Sequence, residues 1–300
     1  MQSSSLKLAC VAALSITLPM SAHAVATLQN GYVLAGVSNY GTLGSNGGTP
    51  PGILYDKTGT SNYGVNDFLT PGAPFEGFYL KGTLRGEDLS YFGNNDGSST
   101  FGLFSLTQNS ATSVLATGTS NDGLLGISHL YSLTTLGGRS VISITTTLSN
   151  LGTSAFENLE FLRTLDPDPD VNAFNSYDTE NKVVSGAEAC GTGTSSGQTI
   201  CAYTTSTLAH LAGVSSYWST DPSVYLAGTD NGNGDYAIGV AFDLSSLGAG
   251  QSLTFDYGYA LRASLDDATG GDVPEPASAL LLAAGLLGLA RIQRSKREKA

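Results

Sequence analysis

An all-β fold, a large or supersandwich-like antiparallel β-sandwich, is what this 300-residue sequence predicts for its central part. Three observations carry the prediction. Hydrophobic residues recur at every second position in several runs, no run between residues 25 and 264 keeps a helical period, and clusters of Asn, Asp and Gly separate the runs. Successive side chains of a strand point to opposite faces, so a period of two marks a strand with one buried side. Asn, Asp and Gly tolerate the positive φ that tight hairpin turns require. Many short strands joined by such turns pack as two antiparallel sheets.

Taken in chain order, strands are expected over residues 32–37, 76–81, 101–106, 125–133, 141–148, 156–165, 199–204, 223–226, 236–242 and 252–262. The last is the clearest. Leu253, Phe255, Tyr257, Tyr259 and Leu261 form one face, and Thr254, Asp256, Gly258, Ala260 and Arg262 the other. Residues 141–148 repeat the pattern with Ile142, Ile144, Thr146 and Leu148. A hairpin strand over 139–150, a turn over 151–155 and a strand over 156–165 read as one unit. Turns are expected at 94–97, 121–123, 136–138, 150–152 and 231–234, all rich in Asn and Gly. Residues 39–74 and 166–188 read as long loops, a class that is often functional.

The ends of the chain report on compartment. Residues 1–24 read as a cleavable N-terminal signal helix: Lys7, an apolar run over 8–18, the helix breaker Pro19, then Ser21-Ala22-His23-Ala24. Ala22 and Ala24 make the small-x-small pair that a signal peptidase accepts, so cleavage is expected after Ala24. Cys10 leaves with that segment. Cys190 and Cys201 then remain as an even pair in an oxidising compartment, expected to form one disulfide closing a hairpin-like loop. The β-sandwich is placed at 25–264, a polar linker at 265–272 and a terminal segment at 273–300. Between residues 25 and 271 there are seven Lys and Arg against 22 Asp and Glu, a charge of about −15. Nucleic acid and anionic lipid need clustered Lys and Arg, so nucleic acid is excluded as a partner of this domain. Divalent cations suit the surface.

The terminal segment carries the sharpest signal. Pro274 and Pro276 stop any helix from running back into the domain. No residue from 276 to 290 is charged, and 277–290 is nearly all Ala, Leu and Gly. As a helix this run is roughly 22 Å long against a hydrocarbon core of about 30 Å, a single short transmembrane helix. Arg291, Arg294, Lys296, Arg297 and Lys299 follow, a basic stop segment that holds its end in the cytoplasm. The order Val273-Pro274-Glu275-Pro276, short apolar helix, basic tail resembles the PEP-CTERM sorting signal of Gram-negative bacteria. The resemblance implies an exported protein held briefly in the inner membrane. An exosortase, a cysteine transpeptidase-like membrane enzyme, then cuts it near Pro274-Glu275-Pro276 and passes it to the cell surface or the extracellular space.

Chemistry inside the domain is sparser. Asp166-Pro167-Asp168-Pro169-Asp170 follows an expected strand, and alternating Pro keeps the backbone extended. Asp166, Asp168 and Asp170 at two-residue spacing then face one side, a geometry able to grip Ca²⁺ with carbonyls and water. The alternative is a rigid, solvated acidic turn. Residues 230–235 miss the EF-hand spacing and read as a hairpin turn. Glu157 and Glu160, or Asp166 and Asp168, offer paired carboxylates of the kind a glycosidase uses, though on a regular strand Glu157 and Glu160 fall on opposite faces. Residues 145–150 with 161–170 resemble sugar-binding β-supersandwich proteins of the mutarotase type, without the histidines expected of such epimerases. After residue 24 only His129 and His210 remain. Each reads as an ordinary strand histidine, and no catalytic residue is assigned. Trp218, with Tyr217, Tyr225 and the loop tyrosines, is either core or a stacking surface for sugar rings. The expected function is therefore a non-catalytic surface or extracellular-matrix protein associated with extracellular polysaccharide. A secreted carbohydrate-active enzyme and a Ca²⁺-dependent adhesive module are the alternatives. The expected processing partners are signal peptidase and exosortase, and no resident cofactor is assigned.

Overall fold

Alternating hydrophobic sequence becomes antiparallel sheet almost throughout a computed structural model that describes residues 25–46, 48–70, 75–136 and 139–264. The expected signal helix with Ala22 and Ala24, the expected linker at 265–272 and the terminal segment with Val273 to Pro276 and the basic tail lie outside the described residues. So does the expected membrane helix; among the described residues no helix is long and apolar enough to cross a membrane.

A small sheet joins β1 (Val25–Gln29), β2 (Val33–Ser38) and β3 (Ile53–Tyr55). The other strands, in chain order, are β4 (Glu76–Leu84), β5 (Glu87–Asn94), β6 (Ser105–Ser110), β7 (Ser113–Thr119), β8 (Leu125–Leu136), β9 (Arg139–Asn150), β10 (Phe156–Leu165), β11 (Thr179–Ser185), β12 (Glu188–Gly193), β13 (Thr199–Tyr203), β14 (His210–Ser215), β15 (Ala237–Leu247) and β16 (Ser252–Arg262). They build a five-stranded sheet in the order β14-β15-β10-β4-β5 and an eight-stranded sheet in the order β11-β12-β13-β16-β9-β8-β7-β6. The two sheets face each other across an aromatic core. Phe161 and Phe242 of the smaller sheet meet Phe255 of the larger at centroid distances of 5.0 and 4.9 Å, and Phe78 meets His129 at 4.8 Å. The fold is the all-β sandwich that the period of two predicts.

Four local expectations change. Phe255, Tyr257, Tyr259 and Leu261 of β16 are buried as expected, but so are Gly258, Ala260 and Arg262 on the far face. There Val141, Cys190, Cys201 and Ala260, on four strands of this same sheet, form a second apolar cluster. Strands β9 and β10 do not pair: β9 lies between β8 and β16, and β10 between β4 and β15, so the turn at 151–155 crosses from one sheet to the other. Residues 223–226 are helical. Asp221 caps α2 (Pro222–Leu226) by accepting from the Ser223 amide at 2.9 Å, and Pro222 begins the helix. Residue 101 makes only an isolated bridge to Ser120, and the strand expected there is β6.

The described residues of segment 39–74 form a folded layer more than a loop. Leu43, Phe68 and Leu69 are buried, and the Asp67 carboxylate accepts from the amides of Gly52, Ile53 and Leu69. Segment 166–188 holds the single-turn α1 (Val171–Phe174) and then β11.

Candidate functional site

Strand pairing assembles a cleft at one end of the five-stranded sheet. Leu165 closes β10 opposite Glu76 of β4 and Ile238 of β15. Asp166 therefore leaves the sheet beside Phe75, whose carbonyl accepts from the Asp166 amide at 3.0 Å. The same pairing brings up Asp235, two residues before β15. Asn94 and Asp96 arrive from the end of β5, Tyr177 from the approach to β11, and Trp218 from the loop after β14. Together with Phe75, Asp166, Asp168 and Asp235 they line a cavity of about 440 Å³. The wall is aromatic and the floor acidic: Tyr177 is 45% and Trp218 42% exposed, and Asp168 only 4%.

Asp166, Asp168 and Asp235 each place a carboxylate oxygen within 4.8 Å of the others. One oxygen of Asp166 and one of Asp168, both buried, have no hydrogen-bond partner. Burial, then the charge of Asp235, pushes the Asp166 carboxyl up to about 7, with a hydrogen bond from the Trp218 side chain working against it. Burial and the charges of Asp166 and Asp235 push Asp168 up to about 8. Asp235 is raised by burial and by Asp178. The solvated acidic turn is thus replaced by a desolvated group of carboxyls.

Asp170 is not among them. The backbone has already turned helical at this residue (φ −99°, ψ −5°) as the chain enters α1, so the extended period of two ends at Asp168. The Asp170 carboxylate instead accepts from the amides of Ser195 and Ser196, at 2.6 and 3.1 Å, and ties down the turn between β12 and β13. Asp235 takes the third place. Residues 231–234 are not a hairpin turn: bridges from Asp230 to Val214 and from Gly234 to Thr179 deliver this loop to the cleft. Asp235 ends the stretch 230–235 that misses the EF-hand spacing, and its partners lie far away in sequence, brought up by the pairing of β10 with β15.

The other singled-out residues fall elsewhere. Cys190 and Cys201 form the expected disulfide, directly opposite each other across β12 and β13. A bulge at Asn158 (φ 49°) turns both Glu157 and Glu160 to the outer face, so the expected opposition fails. Ser223 donates to Glu160 at 2.6 Å, and Lys81 lies 3.5 Å from it. His129 is fully buried in the core, with Nδ1 2.8 Å from Thr146 Oγ1. His210 sits on β14, its Nδ1 2.6 Å from the Leu208 carbonyl. Tyr225 is core, packed with Tyr79, Leu162 and Ala241, whereas Tyr217 is 85% exposed. The buried pair Glu76 and Arg163 has no counterpart in the sequence reading; a charge of each sign on the inward face of a strand was the available signal.

Several solved structures resemble this chain at low identity. A putative aldose 1-epimerase from Escherichia coli K12 is 12% identical, with 80% of this chain and 99% of that one covered and a TM-score of 0.45. A galactose mutarotase-like protein from Lactobacillus casei is also 12% identical, with 80% and 100% covered and a TM-score of 0.44. A bacterial glucoamylase complexed with acarbose is 10% identical, with 86% of this chain and 36% of that one covered and a TM-score of 0.49. No curated protein matches the chain. The family model of the PEP-CTERM protein-sorting motif matches residues 272–295. The chain carries a PEP-CTERM sorting motif at its C-terminal end, the mark of an exported protein sorted by an exosortase.

Proposed function

We propose that this chain is a non-catalytic protein of the cell surface or extracellular matrix that associates with extracellular polysaccharide. Signal peptidase trims it after Ala24, the terminal helix holds it in the inner membrane, and exosortase cuts near Pro274-Glu275-Pro276. The observation that carries the reading is the sorting motif at residues 272–295. The cleft supports the polysaccharide half: exposed Tyr177 and Trp218 beside carboxylates suit the apolar faces and hydroxyls of sugar rings. The test is intact mass and location of the protein in a host with and without its exosortase. The expected product begins at Val25, ends near Pro274 to Pro276, and is lost without the enzyme. A product ending at Ala300 and held in the membrane of both hosts sinks the sorting reading. A secreted carbohydrate-active enzyme is the second reading, favoured by the adjacent raised carboxyls of Asp166 and Asp168. Saccharide cleavage that disappears in Asp168→Asn selects it.

A further inference from the structure

We propose that Asp166, Asp168 and Asp235 form a calcium site in the floor of the cleft, with Asp235 and not Asp170 as its third carboxylate. Three observations converge. The three carboxylate oxygens lie within 4.8 Å of one another, inside the about 5 Å that two ligands on opposite sides of one Ca²⁺ span. Asp168 is 96% buried, lines the cavity and presents an oxygen with no partner, and Asp166 presents a second. No positive side chain answers them: the four ion pairs among the described residues join Lys81 to Glu160 and Asp221, Arg163 to Glu76, and Arg262 to Glu188. Buried carboxylates in such a group need protons or a cation.

The donor set selects the kind of cation. Every ligand atom is oxygen, with no His or Cys in the group, which disfavours zinc and copper. The carboxylates come from separate segments, the exit of β10 and the loop before β15, and so fit the loose geometry of Ca²⁺ better than the strict octahedron of Mg²⁺. Asn94 and Asp96 border the same cavity, and the open side leaves room for water or ligand hydroxyls. A bound ion would also tie the β15 loop to the end of β10 and fix the cleft floor beneath Trp218. This inference stands apart from the sorting reading, because it concerns the folded domain alone.

Trp218 is the only tryptophan in the sequence and lines the same cavity, so it supplies a built-in reporter. The experiment is titration of the full-length chain, freed of metal with a chelator, with Tb³⁺ and with CaCl₂. Tb³⁺ emission excited at the red edge of the indole band should appear and be displaced by Ca²⁺. Calorimetry with CaCl₂ should give one site with a Kd of about 10⁻⁴ to 10⁻³ M, the range of extracellular calcium modules. Asp168→Asn and Asp235→Asn should each weaken binding at least about tenfold, while Asp170→Asn leaves it unchanged. Trp218→Phe should lose the emission and keep the calcium heat. Circular dichroism confirms that each variant is folded. Absence of both signals in the wild type overturns the site. Wild-type affinity in Asp235→Asn overturns the ligand set, as does loss of binding in a folded Asp170→Asn.

Discussion

His129 shows how a single residue in this sandwich gains its properties from what surrounds it. Phe78 and Phe104 pack their rings against the imidazole, Thr146 takes Nδ1, and Nε2 has no partner. Burial, reinforced by the nearby Arg163 charge, holds its pKa well below the ordinary histidine value. The unfolded chain therefore takes up a proton near pH 6.5 that the folded chain refuses. With the folded pKa depressed, the stability tied to His129 is fully present above pH 6.5 and is lost as pH falls below it. Asp166 and Asp168 have the opposite sign: their raised folded pKa values favour the fold at low pH and oppose it as pH climbs from about 4 toward 8. A variant at 129 separates the two. His129→Leu leaves Thr146 its bond to Tyr257, at 2.7 Å. It should flatten the acid limb of the stability curve by up to one proton, about 1.4 kcal/mol per pH unit below pH 6.5. Urea midpoints of wild type and variant from pH 5 to 8, in chelator, test this; parallel curves would exclude a neutral buried histidine.

At the scale of elements, legibility followed the amount of apolar sequence each strand carries. β16, β9 and β8 have large residues at every second position, β10 does so beyond its bulge at Asn158, and the places of all four were predicted within a few residues. The sheet-edge strand β6, Ser-Leu-Thr-Gln-Asn-Ser, has one large apolar residue, and pairing with β7 defines it more than its own pattern does. α2 was missed because one helical turn is too short to show a period, although Asp221-Pro222 is a start signal. The site divides in the same way. Asp166 and Asp168 were legible together because they are local; Asp235 stood only in a stretch that misses the EF-hand spacing, because the β10–β15 ladder alone brings it near them. The disulfide was legible by elimination, and its register shows what it does. Cys190 and Cys201 face each other in the β12–β13 hairpin and belong to the apolar cluster on the far side of β16. Their crosslink closes a short loop, which in the chain-entropy model contributes about 3 kcal/mol. Cys190→Ala with Cys201→Ala should lower the unfolding free energy by roughly that amount, read from urea midpoints at unchanged m-value. A loss below about 0.5 kcal/mol would mean that the hairpin is fixed by its hydrogen bonds and packing alone.

Among the described residues, the two sheets and the layer beside them are joined at a buried ionic centre. Glu76 of β4 and Arg163 of β10 are both almost wholly buried between the sheets. Four donors converge on the Glu76 carboxylate: Arg163 Nε, Arg163 Nη2 at 2.9 Å, the hydroxyl of Tyr259 at 2.9 Å and the amide of Leu43 at 2.7 Å. Arg163 Nη2 also donates to Tyr131, whose hydroxyl donates to the Gly41 carbonyl at 2.8 Å. Tyr259 and Tyr131 belong to the eight-stranded sheet, and Gly41 and Leu43 to the segment between β2 and β3. One ion pair therefore ties together both sheets and the layer beside them. Arg163 also lies three residues before Asp166, so the same centre anchors the strand that feeds the cleft. Removing one charge strands the other in the core, and that costs about 3–5 kcal/mol, a large share of a typical total stability of about 5–15 kcal/mol. Arg163→Ala should lose that much in a single transition followed equally by far-UV circular dichroism and by Trp218 fluorescence. Glu76→Leu combined with Arg163→Met removes both charges and should recover most of the loss, since well-packed apolar replacements of buried pairs are often neutral. If the double variant is as unstable as Arg163→Ala, the centre acts through the geometry it imposes on the tyrosines and the Leu43 segment. If Trp218 fluorescence changes well before the circular dichroism, the cleft end of the five-stranded sheet unfolds apart from the sandwich, and the claim of a single cooperative unit fails.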